Sequence, residues 1–166
     1  MEFDAIQKEI ALAIVGKKTT ELRRCSSALL ICFGERIQVR FSESRKGFRR
    51  EYVFKIPYPF RISKSGTILF GSRDMTVPYI DTDEADFEYE MEEKSALNVL
   101  IKNFNEKYGS LTVTNVVIDT TGSLTVEFQD EIVLEAFVNG SLRTITYWGF
   151  GTYVPDGCHW LMMFNE

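Results

Sequence analysis

The stretch that decides the fold is YVFKIPYPFRISKSGTILF, residues 52–70. Its apolar residues recur at every second position on both sides of a Pro57–Pro59 break, which is the period of half-buried β-strands. Because proline cannot donate a ladder hydrogen bond, the break predicts a sheet edge or a kink between two strands. Ser65-Gly66 is a turn signal, and it predicts that residues 67–70 return as a partner strand.

The same alternation extends outward in both directions along the chain. It predicts earlier strands over 19–24, 27–33 and 36–41, and later strands over 112–118, 124–128, 132–138, 142–149 and 159–164. Residues 43–50 are polar and basic around Gly47, which predicts a loop, and 72–92 show the least pattern of all. Asn139-Gly140 tolerates positive φ at both positions and therefore predicts a type I′ hairpin.

Two segments follow the helical period instead. Phe3, Ile6 and Ile10 predict a short N-terminal helix that ends near Gly16. Apolar residues at 97, 100, 101, 104 and 108 predict one long helix over about 94–108, with Ser95 as its N-cap and Gly109 just past its end. We therefore expect a single α+β domain over 1–166, dominated by antiparallel β-sheet.

Composition places the chain among ordinary globular proteins. It is 45% apolar and 26% charged over 166 residues, which suits one domain. Its cysteines, Cys25, Cys32 and Cys158, are odd in number and lack a CxxC pair, so we expect a reducing compartment. The start is acidic and the apolar run 10–15 is short, which predicts neither a signal peptide nor a membrane span. We therefore expect a cytoplasmic protein.

Charge is strongly segregated along the chain. Residues 36–73 carry ten Lys/Arg and two acids, whereas residues 81–93 carry eight acids and no base. Clustered like charge selects partners and speeds association. The acidic segment therefore predicts docking of a basic protein partner, through Asp81, Asp83, Glu84, Asp86 and Glu88. Two alternatives are a solvated acidic loop, which is the commonest fate of such a run, and neutralisation of the two stretches by each other within the same molecule.

The basic stretch 36–61 supports an alternative function, binding of nucleic acid or phosphate. Arg45, Lys46, Arg49 and Arg50 crowd the predicted loop. Nucleic-acid binding also needs stacking aromatics close to the basic patch, and Phe48 and Tyr58 are the nearby candidates. The net charge of −5 disfavours nucleic acid as a general partner.

Motifs for catalysis and metal binding are missing from the sequence. It has no GxSxG, no phosphate loop and no zinc spacing. An EF-hand that starts at Asp81 fails because its glycine position is Asp86. We therefore expect no catalytic residue, no metal and no cofactor. Three enzymatic alternatives stay open: an aromatic pocket near Trp148 and His159, where glycines alternate with large rings; a cysteine paired with His159; and a carboxylate pair of Glu127 and Glu135.

Four short motifs carry a family resemblance: YVFKIPYPFRI at 52–62, ILFGSRDMTVP at 68–78, WGF at 148–150 and HWLM at 159–162. They resemble a family of small uncharacterised bacterial cytoplasmic proteins with a PWRI-like strand, a GSxD segment, and WRFF-like and HfVV-like strands near the end. The matching positions are Arg61, Gly71, Ser72, Asp74 and Trp148.

The resemblance implies no enzymatic activity. Some small acidic bacterial proteins of this type neutralise secreted toxins, so it implies a non-enzymatic, immunity-type protein whose partner is a toxin. Arg61 and Asp74 flank the Ser65-Gly66 turn, and we expect them to form an ion pair across that hairpin.

Overall fold

A computed structural model describes residues 3–42, 44–57, 59–79, 94–140 and 146–164. Within these ranges the chain forms two α-helices, ten β-strands and short 3₁₀ turns at Ser72–Thr76 and Gln129–Glu131. The helices are α1 (Phe3–Ile14) and α2 (Ala96–Tyr108). The strands are β1 (Thr19–Cys25), β2 (Ala28–Arg40), β3 (Lys46–Ile56), β4 (Phe60–Lys64), β5 (Thr67–Gly71), β6 (Val113–Ile118), β7 (Leu124–Phe128), β8 (Ile132–Ala136), β9 (Thr146–Val154) and β10 (Gly157–Phe164).

The described strands form two five-stranded antiparallel sheets, which confirms the predicted α+β class with mostly antiparallel pairing. The first sheet has the order β1-β2-β3-β9-β10, and the second has the order β5-β4-β8-β7-β6. The chain passes from the first sheet to the second at the Pro57–Pro59 break and returns between β8 and β9. The prolines therefore mark a change of sheet, because neither can donate to a continuing ladder.

Both sheets and both helices contribute to one hydrophobic core. The Phe54 ring lies at its centre, 5.0 Å from the Phe150 ring and 6.4 Å from the Trp148 ring, measured between centroids. Trp148 has no exposed surface, and its Nε1 donates a 2.9 Å hydrogen bond to the carbonyl oxygen of Gly122. That bond joins β9 of the first sheet to the turn between β6 and β7 of the second.

The helices differ from the prediction in their relative length. α1 has 12 residues and α2 has 13, so the predicted contrast between a short and a long helix is wrong. The predicted caps are confirmed: Ser95 Oγ accepts a hydrogen bond from the Asn98 N–H, and Gly109 follows the helix with φ 59°. Neither helix, within the described ranges, is long and apolar enough to cross a membrane.

Two turn predictions are wrong. The predicted loop 43–50 is mostly strand, because β2 runs to Arg40 and β3 begins at Lys46; polarity of exposed side chains does not prevent backbone pairing. Asn139-Gly140 closes no hairpin, since β8 and β9 belong to different sheets. Positive φ at two consecutive residues, as a type I′ turn requires, occurs at the predicted Ser65-Gly66 turn and also at Asp130-Glu131.

The family-motif residues around β4 and β5 stabilise this corner of the second sheet. Arg61 donates two hydrogen bonds to the Glu135 carboxylate, at 2.6 and 2.9 Å, so the predicted pair of Arg61 with Asp74 is wrong. The β4–β8 pairing places Glu135 directly opposite Arg61. Asp74 accepts a hydrogen bond from the Gly71 N–H, and Ser72 Oγ accepts one from the Phe60 N–H.

Replacing Gly71 by alanine should lower the free energy of unfolding by about 1–3 kcal/mol, the usual cost of overpacking. A Cβ at this position would lie 2.9 Å from the Phe60 carbonyl oxygen, which is backbone and cannot turn aside. Gly157→Ala is the matched control, because nothing lies within 4 Å of its Cβ position. Urea denaturation measures both variants, and equal midpoints would contradict this interpretation of Gly71.

The turn that supports Trp148 is held by one carboxylate. Asp119 Oδ1 accepts hydrogen bonds from the Thr121 N–H, the Thr121 hydroxyl and the Ser123 N–H, at 2.6–3.0 Å. Burial raises the pKa of Asp119, but these hydrogen bonds outweigh burial and the net pKa is lowered. The ionised form of Asp119 is therefore the one that stabilises the turn.

Asp119→Asn should be less stable than the wild type at neutral pH, and the difference should shrink in acid. Because the folded pKa lies below the unfolded value of about 3.9, the stabilisation is complete above that value and is lost as pH falls through the folded pKa. Denaturation at several pH values measures the difference. Asp156→Asn, at an exposed turn, controls for removing one charge. A stability difference between Asp119→Asn and the wild type that does not change with pH would contradict the role given to ionised Asp119.

Candidate functional site

An open groove of about 580 Å³ lies on the outer face of the first sheet. Both helices bury their apolar residues in the core on the inner side, and no described element covers this outer face. Five basic side chains, three aromatic rings and a single acid line the groove: Arg23, Arg36, Arg49, Arg50, Lys55, Phe48, Tyr153, Trp160 and Glu21, with Cys25, Leu30, Cys32 and Val53 between them.

The strand registers explain why a depression forms here. One residue from each strand pairs with a residue of the next strand, and together they form a row across the sheet: Glu21, Cys32, Val53, Gly151 and Trp160. The three residues in the middle of the row have small side chains or none, so they form a low floor. Longer side chains on neighbouring rows stand above that floor and form the walls.

Trp160 lies on the backbone of two glycines. A Cβ placed on Gly151 would be 3.1 Å from three atoms of the indole, and one on Gly149 would be 3.3 Å from the same ring system. Tyr153 packs against Trp160 edge to face, with ring centroids 6.4 Å apart. β9 therefore lies beneath the indole, and Trp160 is one of the residues that line the groove.

Most of the positive charge in the groove is not neutralised. Among the described residues Arg23 pairs with Glu21, whereas no carboxylate pairs with Arg36, Arg49, Arg50 or Lys55. Arg36 lies over the Phe48 ring, 4.4 Å from its centroid, in a cation–π contact. Arg49 and Lys55 are separated by six residues on β3, so the positive charge extends over about 20 Å.

The β2–β3 hairpin places like charges directly opposite each other. Arg36 is the cross-strand partner of Arg50, and Arg40 is the partner of Lys46. Such pairs are destabilising in an antiparallel sheet. An anion bound between them would reduce this repulsion, which the contact of Arg36 with the Phe48 ring does not neutralise.

The titratable groups beside the floor are held in their neutral forms. Burial, and then the Glu21 carboxylate, raise the pKa of Cys32 to about 11, so the thiol is protonated at neutral pH and is a poor nucleophile. Burial also raises the pKa of Cys158 and of Tyr153, and the Arg49 guanidinium opposes the shift at Tyr153. Neither Cys32 nor Cys158 is therefore activated as a nucleophile by its surroundings.

The enzymatic alternatives find little support in the geometry. Trp148 has no exposed surface and cannot line an open pocket beside His159. Glu127 and Glu135 lie diagonally on β7 and β8, but Arg61 occupies the Glu135 carboxylate. The described part of the chain contains no cluster of three or more His, Cys, Asp or Glu side chains that could hold a metal ion.

The structure brings together only part of the basic set predicted from sequence. Arg49 and Arg50 line the groove, Lys46 begins β3, and Arg45 lies in the turn with its guanidinium 5.8 Å from the Phe41 ring centroid. The predicted acidic contacts Asp81, Asp83, Glu84, Asp86 and Glu88 lie outside the described residues, as does Tyr58. Predictions about those residues stay predictions.

Sequence reasoning missed the groove residues Arg23, Tyr153 and Trp160. Arg23 lies on β1 and meets the basic stretch through the pairing of β1 with β2. Tyr153 and Trp160 come from strands far away in the sequence and meet it only through the pairing of β3 with β9 and of β9 with β10. A partial signal was present, since glycines beside large rings at 147–153 indicate a shallow aromatic pocket as one alternative.

Comparisons with protein-family models, with curated proteins and with solved structures found no match to this chain. The family resemblance therefore stays a prediction, and the ligand of the groove is inferred from the chemistry of its own side chains.

Proposed function

We propose that this protein binds nucleic acid through the basic groove of the first sheet. The observation that carries the proposal is that five basic side chains, four of them without a carboxylate partner among the described residues, converge with three aromatic rings on one open surface. Nucleic acids present phosphates to basic groups and base faces to aromatic rings. An acidic peptide would use the charges but would leave the rings without a role.

The net charge of −5 does not oppose this proposal. The eight acids of 81–93 outnumber the whole negative excess, so the remainder of the chain is net positive. Local potential, rather than the average over the molecule, guides an approaching polyanion. The sequence alone ranks protein binding first, and the groove geometry favours the alternative.

The extent of the positive charge favours a chain of phosphates over a single ion. One phosphate cannot contact both Lys55 and Arg49 when they lie about 20 Å apart along β3. Several phosphates along the groove would instead neutralise each basic group in turn. Relief of the repulsion between Arg36 and Arg50 would contribute to the affinity. Binding to the folded state alone would also stabilise the protein by mass action.

Replacing Arg49, Arg50 and Lys55 together by glutamine should weaken binding of a labelled single-stranded oligonucleotide and reduce its dependence on salt. Each lost phosphate contact should lower the slope of log K against log salt concentration by about 0.7. Fluorescence anisotropy across a salt series measures both quantities. The variant should remain folded, because it removes one member of a repulsive pair.

The matched control replaces Lys8, Arg73 and Lys102 by glutamine. All three are exposed and lie outside the groove, so the change in net charge is the same. The control should bind like the wild type. Failure of the wild-type protein to bind any oligonucleotide at low salt would overturn the proposed function.

We propose a second candidate function, neutralisation of a basic toxin by the acidic segment 81–93. It is supported by the described residues on either side of that segment. The Tyr79 N–H donates to the Lys94 carbonyl oxygen at 3.0 Å, and the Ala96 N–H donates to the Val77 carbonyl oxygen at 2.8 Å. The chain therefore leaves and returns at adjacent points, and the segment between them carries eight carboxylates in its sequence. Such a cluster attracts a basic partner.

Charge reversal to lysine at Asp81, Asp83, Asp86 and Glu88 should abolish salt-sensitive association with a basic toxin produced beside this protein in its cell. Co-purification of the two proteins at low and high salt provides the measurement. A control variant reverses four exposed acids elsewhere: Glu9, Glu35, Glu106 and Asp156. Equal capture by the quadruple variant and the wild type would exclude this function.

A further inference from the structure

We infer that the groove takes an unpaired strand, one base of which stacks on the indole of Trp160. This inference rests on the proposed nucleic-acid function and adds the form of the ligand and the residue that recognises it. An indole that lines a basic groove is a stacking surface for any base, because every base has a π-face.

The seat of Trp160 makes the ring a fixed platform. Gly149 and Gly151 have no side chains, and the indole occupies the space above them that a Cβ would need. Tyr153 also packs against it in a T-shaped contact. A ring held by such neighbours loses little conformational freedom when a base stacks on it.

Basic groups lie on both sides of this platform along the groove. Trp160 shares its row with Val53 through Gly151, and Val53 lies two residues from Lys55 and four from Arg49 on β3. These separations correspond to about 7 Å and 13 Å along the strand. Phosphates that flank a base stacked on Trp160 would therefore meet positive charge in both directions.

The position of the ring excludes a duplex as the preferred ligand. In a double helix the face of each base is covered by its neighbours, and proteins reach only base edges and phosphates. Trp160 lines the groove and packs over Gly149 and Gly151 of β9, so it offers the face of its ring rather than a group that reads base edges. Only a base that is unstacked from its neighbours can reach it, as in single-stranded recognition.

Intrinsic fluorescence tests this inference, because the chain contains two tryptophans of opposite environment. Trp148 is completely buried and Trp160 lines the groove. A single-stranded oligonucleotide should quench the Trp160 emission in the wild type, and Trp160→Phe should remove the quenching while retaining most of the affinity. Emission from Trp148 in that variant reports that the core is intact.

Trp160→Leu removes the platform and should weaken single-strand binding about tenfold, the order of one base–aromatic stack. Binding of inorganic polyphosphate, which has charge but no bases, should not change. Gly151→Ala is the second variant: its Cβ would lie 3.1 Å from the indole, so the ring is displaced without being removed, and a smaller loss is expected.

The outcomes separate the two levels of the proposal. Equal loss of polyphosphate and oligonucleotide binding in Trp160→Leu, or binding of a duplex as tight as that of the single strand, overturns the stacking inference and leaves a charge-based binder. If the wild-type protein binds the oligonucleotide without quenching of its tryptophan emission, the stacking inference is also overturned. A wild-type protein that binds neither the oligonucleotide nor polyphosphate overturns the proposed function itself.

Discussion

The register of β9 is the constraint on which both the core and the groove depend. Consecutive residues of a strand point to opposite faces, so Trp148 and Phe150 fill the core while Gly149 and Gly151 face outward. A slip of one residue would expose the large rings and leave a void inside. Because the core places Trp148 and Phe150 on the inner face of β9, the two glycines lie on its outer face, and Trp160 packs over them there.

Predictions from sequence succeeded where one local signal was sufficient. Leu124–Phe128 was predicted and observed with the same bounds, because buried and partly exposed residues alternate there without interruption. Local signals did not reveal sheet membership. The Pro57–Pro59 break is compatible with an edge or a kink, and only the pairing of β3 with β9 and of β4 with β8 shows that the chain changes sheet.

The residues of the candidate site also divide into those that a local sequence signal predicts and those that only strand pairing brings together. Arg49 and Arg50 are contiguous in sequence, so their clustering could be predicted, although their polarity concealed the strand that carries them. Tyr153 and Trp160 reach the basic residues only through long-range pairing, which no local pattern encodes. Arg61 shows the same limit. Asp74, which follows the adjacent strand β5, was the predicted partner. However, β4 lies between β5 and β8, and β8, which is farther away in the sequence, supplies Glu135.

The strand order also has a consequence for the folding of a growing chain. The strands of the second sheet, residues 60–136, lie between the two halves of the first in the sequence. During synthesis from the N-terminus, β1, β2 and β3 emerge early, but β9 can join them only after the whole second sheet has been made. Contacts across so long a separation form slowly. A ribosome-bound chain that ends at β8 therefore has an incomplete groove without Trp160, and the full lining of the groove is among the last features of this fold to form.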